Sequence, residues 1–261
     1  MTYSIQKEHA NQEIRIPIET RGPERIICRA YNPRKPNTVY FEAAPIIRGK
    51  DSFIVRIPKM PDLVYLDIYN EKNGNLKFDG TFRLGNIKSG PISTTFSIGR
   101  IFDPNLNRFM AFIDDFAENA AILSAQNSIY TSNDGQFRID YLDVIRDENG
   151  NEMQTPFRVN EKTKVIQASK KKILGYTVPG RRMWLYHEGA HVYMNTNPAD
   201  ELEADKHAIT LYLGTGNPII EAYTVINQCF KNSPTNLNRQ RYEQLNAFIK
   251  NFNNNMTKRL N

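Results

Sequence analysis

Cysteine is nearly absent: Cys28 and Cys229 are the two thiols in 261 residues. Without a Cys-x-x-Cys pair, neither a thiolate zinc site nor a dithiol redox motif is present. Two cysteines so far apart build no disulfide framework. Histidine occurs four times and tryptophan once. No stretch approaches the ~18 apolar residues that a membrane-spanning helix needs. Near the start, Lys7, Glu8, Glu13 and Arg15 interrupt any apolar core, so no secretory signal peptide is read. A dense basic stripe with interleaved aromatics is missing as well. The net charge of +6 is mild, and its strongest cluster, Lys170-Lys171-Lys172, reads as a solvated loop. Nucleic acid is therefore not indicated as a partner.

What is present supports real cores. Hydrophobic residues make up 40% of the chain, and 261 residues suffice for one large or two ordinary domains. Short β-branched and aromatic runs fill residues 1–100: Ile26–Tyr31, Thr38–Phe41, Ser52–Ile57, Leu63–Tyr69, Leu76–Phe78 and Thr81–Leu84. Pro33, Pro36, Pro45, Gly49, Pro58, Pro61 and the Asn73-Gly74 turn separate them. That pattern predicts a β-sandwich. It carries no catalytic constellation, so a binding or assembly role is expected of it.

The texture changes between Gly90 and Asp103, and residues 101–261 read as a second, α+β domain. Leu106 to about Gln126 is predicted helical, with Phe109, Phe112, Ile113, Phe116 and Ala120 as its core stripe. Asp114, Asp115 and Glu118 are expected on a solvated face. Arg138–Ile145, Pro156–Val159 and Lys164–Ala168 read as strands of a small antiparallel sheet, with Val165–Ser169 as the expected edge. Helices are predicted from Asn197 to Leu213, over Ile219–Phe230 and over Asn236–Phe252. Asn197 would be the cap, Pro198 the first helical residue and Gly214 the stop of the first of these. The polar tail from Phe252 to Asn261 is expected to fray unless a partner orders it.

Two of the four histidines lie in Trp184–Val192, which contains His187-Glu188-Gly189-Ala190-His191. On a helix, residues four apart share a face, so both imidazoles can point at one ion. Zinc takes neutral imidazole nitrogen and favours four ligands. Glu188 falls beside the metal, where a carboxylate can accept a proton from water. The competing reading is two satisfied core histidines on an ordinary helix. Downstream, the acidic run Asp200-Glu201-Leu202-Glu203-Ala204-Asp205 offers a third ligand. Glu201 and Asp205 share a face, so Glu201 can ligate while Asp205 reaches the second N–H of a ligating imidazole. Glu203 points about 200° away from Glu201 and ranks below it.

This combination resembles the zincin metallopeptidases, and more narrowly the gluzincins, whose third ligand is a glutamate. The resemblance covers roughly Arg138 to Phe230. It implies a zincin-like domain with a zinc ion held by His187, His191 and Glu201, Glu188 as general base, Asp205 behind a ligand, and a protein or peptide substrate paired to an edge strand. Tyr212, Tyr223 and His207 are the candidates for steadying the oxyanion. A β domain joined to a zincin also resembles, in texture, zincin-type proteins of crAss-like tailed phages. From that likeness come the expectations of a larger assembly of subunits, a virion location and a runner-up function as a structural phage component that reuses the fold; the lack of a signal peptide or spanning segment gives a cytoplasmic location as the alternative.

Overall fold

One long strand organises the N-terminal residues. The computed structural model describes residues 1–74, 80–92, 104–123, 128–160, 162–194, 196–197, 199–231 and 235–258. The expected strand Leu76–Phe78 lies outside them. The chain divides into two compact units, Met1–Ser93 with Gly216–Pro218, and Thr94–Thr215 with Ile219–Asn261.

Among its described residues the first unit holds seven strands: β1 (Thr2–Gln6), β2 (Gln12–Asn32), β3 (Lys35–Ala43), β4 (Ile46–Ile57), β5 (Leu63–Asn70), β6 (Phe82–Leu84) and β7 (Lys88–Pro91). They form one seven-stranded antiparallel sheet built on β2. The first half of β2 pairs with β4 on one side and with β6 and β7 on the other. Its second half pairs with β5 and β3. A register shift between Thr20 and Glu24 joins the halves, and such a bulge lets a strand bend while staying in the ladder. Period-two alternation survives the bend: Ile14, Ile16, Ile18, Ile26, Cys28 and Ala30 are all buried. The rings of Phe41 on β3 and Phe53 on β4 meet edge-on at 6.5 Å.

The sequence reading expects no strand over β1 or over the first half of β2, which contains Pro17. Pro17 is tolerated for a specific reason. In an antiparallel pair a residue's N–H and C=O point to the same neighbour. The Pro17 carbonyl accepts the Gly85 N–H at 2.9 Å, so the missing N–H also faces that side. Pro17 lies between the residues paired with β7 and those paired with β6, where no ladder donor is required. Gly85 must be small there, since a Cβ would sit 3.0 Å from the Pro17 Cβ.

The second unit contains α1 (Pro104–Leu123), β8 (Ile129–Thr131), β9 (Arg138–Leu142), β10 (Phe157–Val159), β11 (Ile166–Ser169), α2 (Lys170–Ile173), α3 (Val178–Tyr193), α4 (Glu201–Gly214), α5 (Ile219–Lys231) and α6 (Asn236–Lys258). The chain is thus α+β. The small sheet runs β10-β11-β9-β8. It corrects two expectations. It is mixed rather than antiparallel, because β11 lies parallel to β9. Val165–Ser169 is not an edge: the sheet ends at β10 on one side and at β8 on the other. Ile166, Ala168 and Ser169 are buried, which suits an interior strand.

Other local expectations shift for physical reasons. Asp114 is only part-exposed: it forms an ion pair with Arg182 and accepts a hydrogen bond from Tyr186, both of α3. Lys170–Lys172 is helical, with Lys170 paired to Asp143 and Lys172 to Glu152. α6 passes Phe252 and continues to Lys258. No Gly or Pro interrupts that stretch, and Asn or Thr costs only about 0.7 kcal/mol or less per helical position. Among the described residues no helix is long and apolar enough to cross a membrane.

The core of this unit is aromatic. Phe109, Phe112 and Phe116 of α1 pack against Phe137, Tyr130, Tyr141 and Phe157, with ring centroids 5.2–6.2 Å apart. These rings seat α1 on the small sheet and leave its other side to α3.

Candidate metal centre

α3 begins where Thr177 accepts the Gly180 N–H, with Pro179 in the first turn, the arrangement that starts helices. Every residue from Val178 to His191 is buried. A helix buried all round belongs inside a domain, and its two arginines are held by specific groups of neighbouring elements. Arg181 donates to the Ile173 carbonyl and the Ala117 carbonyl, both at 3.0 Å. Burial brings its pKa down to about 10, so it stays charged at neutral pH. Arg182 pairs with Asp114 at 2.9 Å. These bonds fix the rotation of α3 against α1.

Gly189 sets how closely the two helices approach. A Cβ there would lie 2.1 Å from Phe109 Cε1, and that ring is itself wedged against Phe137 and Tyr193. Gly189→Ala is therefore expected to destabilise the protein by about 1–3 kcal/mol, the usual range for overpacking. A urea or thermal melt checks it. An unchanged midpoint would mean that Phe109 yields freely.

α4 begins later than its sequence suggested. The cap is Asp200, whose carboxylate accepts the Glu203 N–H at 2.9 Å. Asn197 instead accepts the Ala199 N–H, and Pro198 lies outside the described residues. At the far end Thr215 caps the helix, and Gly216, at φ +82°, supplies the left-handed turn expected of Gly214. α3 and α4 pack along their length and bring three ligand atoms together. His187 Nε2 lies 3.1 Å from His191 Nε2. Glu201 Oε2 is 3.4 Å from His187 Nε2, and Glu201 Oε1 is 3.7 Å from His191 Nε2.

Those separations test the fit of a metal. Zinc bonds to imidazole and carboxylate are about 2.0–2.2 Å long, so the edges of a tetrahedral site are roughly 3.3–3.5 Å. The observed triangle brackets that size, and neutral imidazole plus carboxylate is a donor set that zinc accepts. His187 and His191 are buried, whereas the Glu201 side chain is 53% exposed. The site is thus walled on the α3 side and open on the α4 side.

The charges around the triangle favour a cation within it. Asp205 Oδ1 is 2.9 Å from His187 Nδ1. A carboxylate accepts only a proton, which places N–H on Nδ1 and leaves Nε2 for an electrophile. Burial opposes a positive His187. The hydrogen bonds to Asp205 and Glu201 and the charge of Glu188 outweigh it, and the pKa rises to about 10. The His187 hydrogen bond draws Glu201 down to about 2. Glu188 lies on a different face and accepts the Val159 N–H of β10 at 2.6 Å. Burial raises its pKa, partly offset by His187.

Glu203 turns away, accepting from the Thr196 and Asn197 backbone amides and facing His207. Tyr212 is fully buried near the far end of α4, and burial raises the pKa of its phenol. Neither His207 nor Tyr212 joins the triangle. Sequence reasoning missed Arg241 of α6, whose guanidinium lies 2.7 Å from Asp205 Oδ2 and 3.2 Å from Glu201 Oε2. It is 36 residues from Asp205 and sits in no recognisable motif, so no local spacing signals it. It also missed Val159, whose contribution is a backbone amide and leaves no trace in residue type. Comparison of the chain with protein-family models, with curated proteins and with solved structures finds no match.

Proposed function

We propose that the chain is a zinc-dependent peptide-bond hydrolase of the gluzincin kind, in which residues 101–261 form a zincin-like domain. One observation carries the reading: His187, His191 and Glu201 set three ligand atoms at the edge lengths of a zinc tetrahedron. A buried carboxylate, Glu188, directly follows the first ligand in sequence.

Each residue then has a task. His187 and His191 would hold the metal through their Nε2 atoms, with Asp205 fixing the orientation and tautomer of His187. Glu201 completes three protein ligands, which leaves a fourth position for water or substrate. Zinc, when bound, supplies the Lewis acidity that makes water a nucleophile near neutral pH. Glu188 is held through Oε2 by the Val159 amide. Its Oε1 is the oxygen that takes the proton from water and returns it to the leaving amine. The burial that raises its pKa suits that double role, since a base poised nearer neutrality both accepts and releases the proton. β10, whose Val159 amide holds Glu188, is an edge strand of the small sheet, where an extended peptide can add by backbone hydrogen bonds.

For residues 1–100 the reading is a β-sandwich folded over β2, supported by the Phe41–Phe53 contact and by continuous inward alternation across the bend. It offers no chemistry of its own, and a docking role within a larger assembly follows from that.

The test is a metal analysis of the purified protein joined to proteolysis assays on an unfolded protein substrate. One zinc per chain with cleavage abolished by chelator is the expected result. Zinc without cleavage favours a structural component that reuses the fold, such as a phage particle subunit. No zinc after loading overturns the metal site.

A further inference from the structure

Arg241 reaches the metal centre from α6, the last helix, and touches two of its carboxylates at once. Its Nη2 lies 2.7 Å from Asp205 Oδ2 and 3.2 Å from Glu201 Oε2, and its Nε lies 3.2 Å from Asp205 Oδ2. The guanidinium carbon stands 5.2 Å from the centre of the Phe230 ring on α5. The side chain is only 15% exposed. Its head is therefore held by groups from two helices, α4 and α5, while its backbone belongs to a third.

These contacts form two branches. One runs Arg241–Asp205–His187, since the other Asp205 oxygen accepts the His187 Nδ1–H. The second runs directly to Glu201, the exposed ligand. Glu201 and Asp205 are like charges four residues apart on one helix face, a pairing that repels. A planar guanidinium with its donors in a fixed fork can bind both carboxylates and set their planes.

We propose that Arg241 is the positioning residue of the metal site, and that through it α6 docking and metal loading form one linked equilibrium. The proposal rests on the metal reading above. Linkage is reciprocal: if an α6-held Arg241 raises the affinity for metal, bound metal must stabilise docked α6 by the same factor.

The experiment uses the full chain and zinc itself. Affinity is read by competition with a chromogenic chelator, and docking by amide hydrogen exchange over residues 236–252 with and without zinc. In the wild type, zinc is expected to slow exchange along α6. Arg241→Ala should weaken zinc binding about 10- to 100-fold, the usual cost of losing an outer partner, and should remove the zinc-dependent protection. Arg241→Lys should restore only part of each, because an ammonium cannot span both carboxylates as a fork does. Arg239→Ala removes a charge from the same helix, where Arg239 contacts Asn236, and should change neither readout. Wild-type zinc affinity in Arg241→Ala, or unchanged zinc-dependent protection of α6, overturns the proposal and leaves the metal site standing. Should Arg241→Ala fail to fold, wild-type affinity in Arg241→Lys overturns it. A wild-type chain that binds no zinc overturns both readings.

Discussion

His191→Ala is expected to release zinc from the purified protein and to abolish cleavage with it. The reason is geometric. His191 contributes one corner of a triangle whose sides are 3.1, 3.4 and 3.7 Å, and no other described His, Cys, Asp or Glu group stands ready to replace it. Two protein ligands remain, one of them on a half-exposed carboxylate. The affinity loss should exceed the roughly 10- to 100-fold that removing an outer partner costs. The same logic separates the two glutamates of α4. Glu201→Ala removes a corner, whereas Glu203→Ala removes an acceptor for the Thr196 and Asn197 amides and leaves the corner in place. Metal content of the three variants, measured after loading and gel filtration, checks the set. A full equivalent of zinc in His191→Ala, or a larger loss in Glu203→Ala than in Glu201→Ala, would overturn the assigned ligands.

How much of this could be read from residues alone depends on the range over which the information acts. His187 and His191, like Glu201 and Asp205, are pairs four apart on helices, and helix geometry fixes their facing without help from the fold. The choice of Glu201 over Glu203 rested on the same angle, and the structure puts Glu203 against the preceding loop and His207 instead. In the fold Glu201 stands beside both histidines and Glu203 does not. Which helix starts where was less legible, because Asn197, Pro198 and Asp200 all carry capping chemistry. Asp200 captures the Glu203 amide.

Strand order was not legible at all. β10 and β11 are both short and largely apolar, and hydrophobicity says only that each is buried. Their placement follows from β11 docking parallel to β9 across a long connection, which leaves β10 outermost and its Val159 amide directed at Glu188. β2 was legible only from Ile26 onward. Its first half alternates at Ile14, Ile16 and Ile18 but holds Pro17, and the gap between the β6 and β7 ladders shows why that proline is harmless. Arg241 marks the third kind of limit. An arginine in a polar helix looks solvated until tertiary packing carries it 36 residues back to Asp205.

Glu188→Gln is the variant that separates chemistry from metal holding. The amide has nearly the volume of the carboxylate, and its oxygen can still accept the Val159 N–H that now ends on Glu188 Oε2. The fold should therefore survive. Stability should hold or rise, because burial disfavours the charge that the substitution removes. Zinc should remain, since Glu188 is no corner of the ligand triangle. What the amide cannot do is accept a proton from water and deliver it to the leaving amine. General acid–base catalysis contributes about 10²–10⁴-fold, and here one group serves both transfers, so cleavage should fall by at least that range. Zinc content, a melting curve and cleavage of an unfolded protein substrate, taken on one preparation, decide it. Turnover within a factor of about ten of wild type would place the base elsewhere. Loss of zinc with the fold intact would make Glu188 a ligand, and the division of labour between α3 and α4 would have to be redrawn around it.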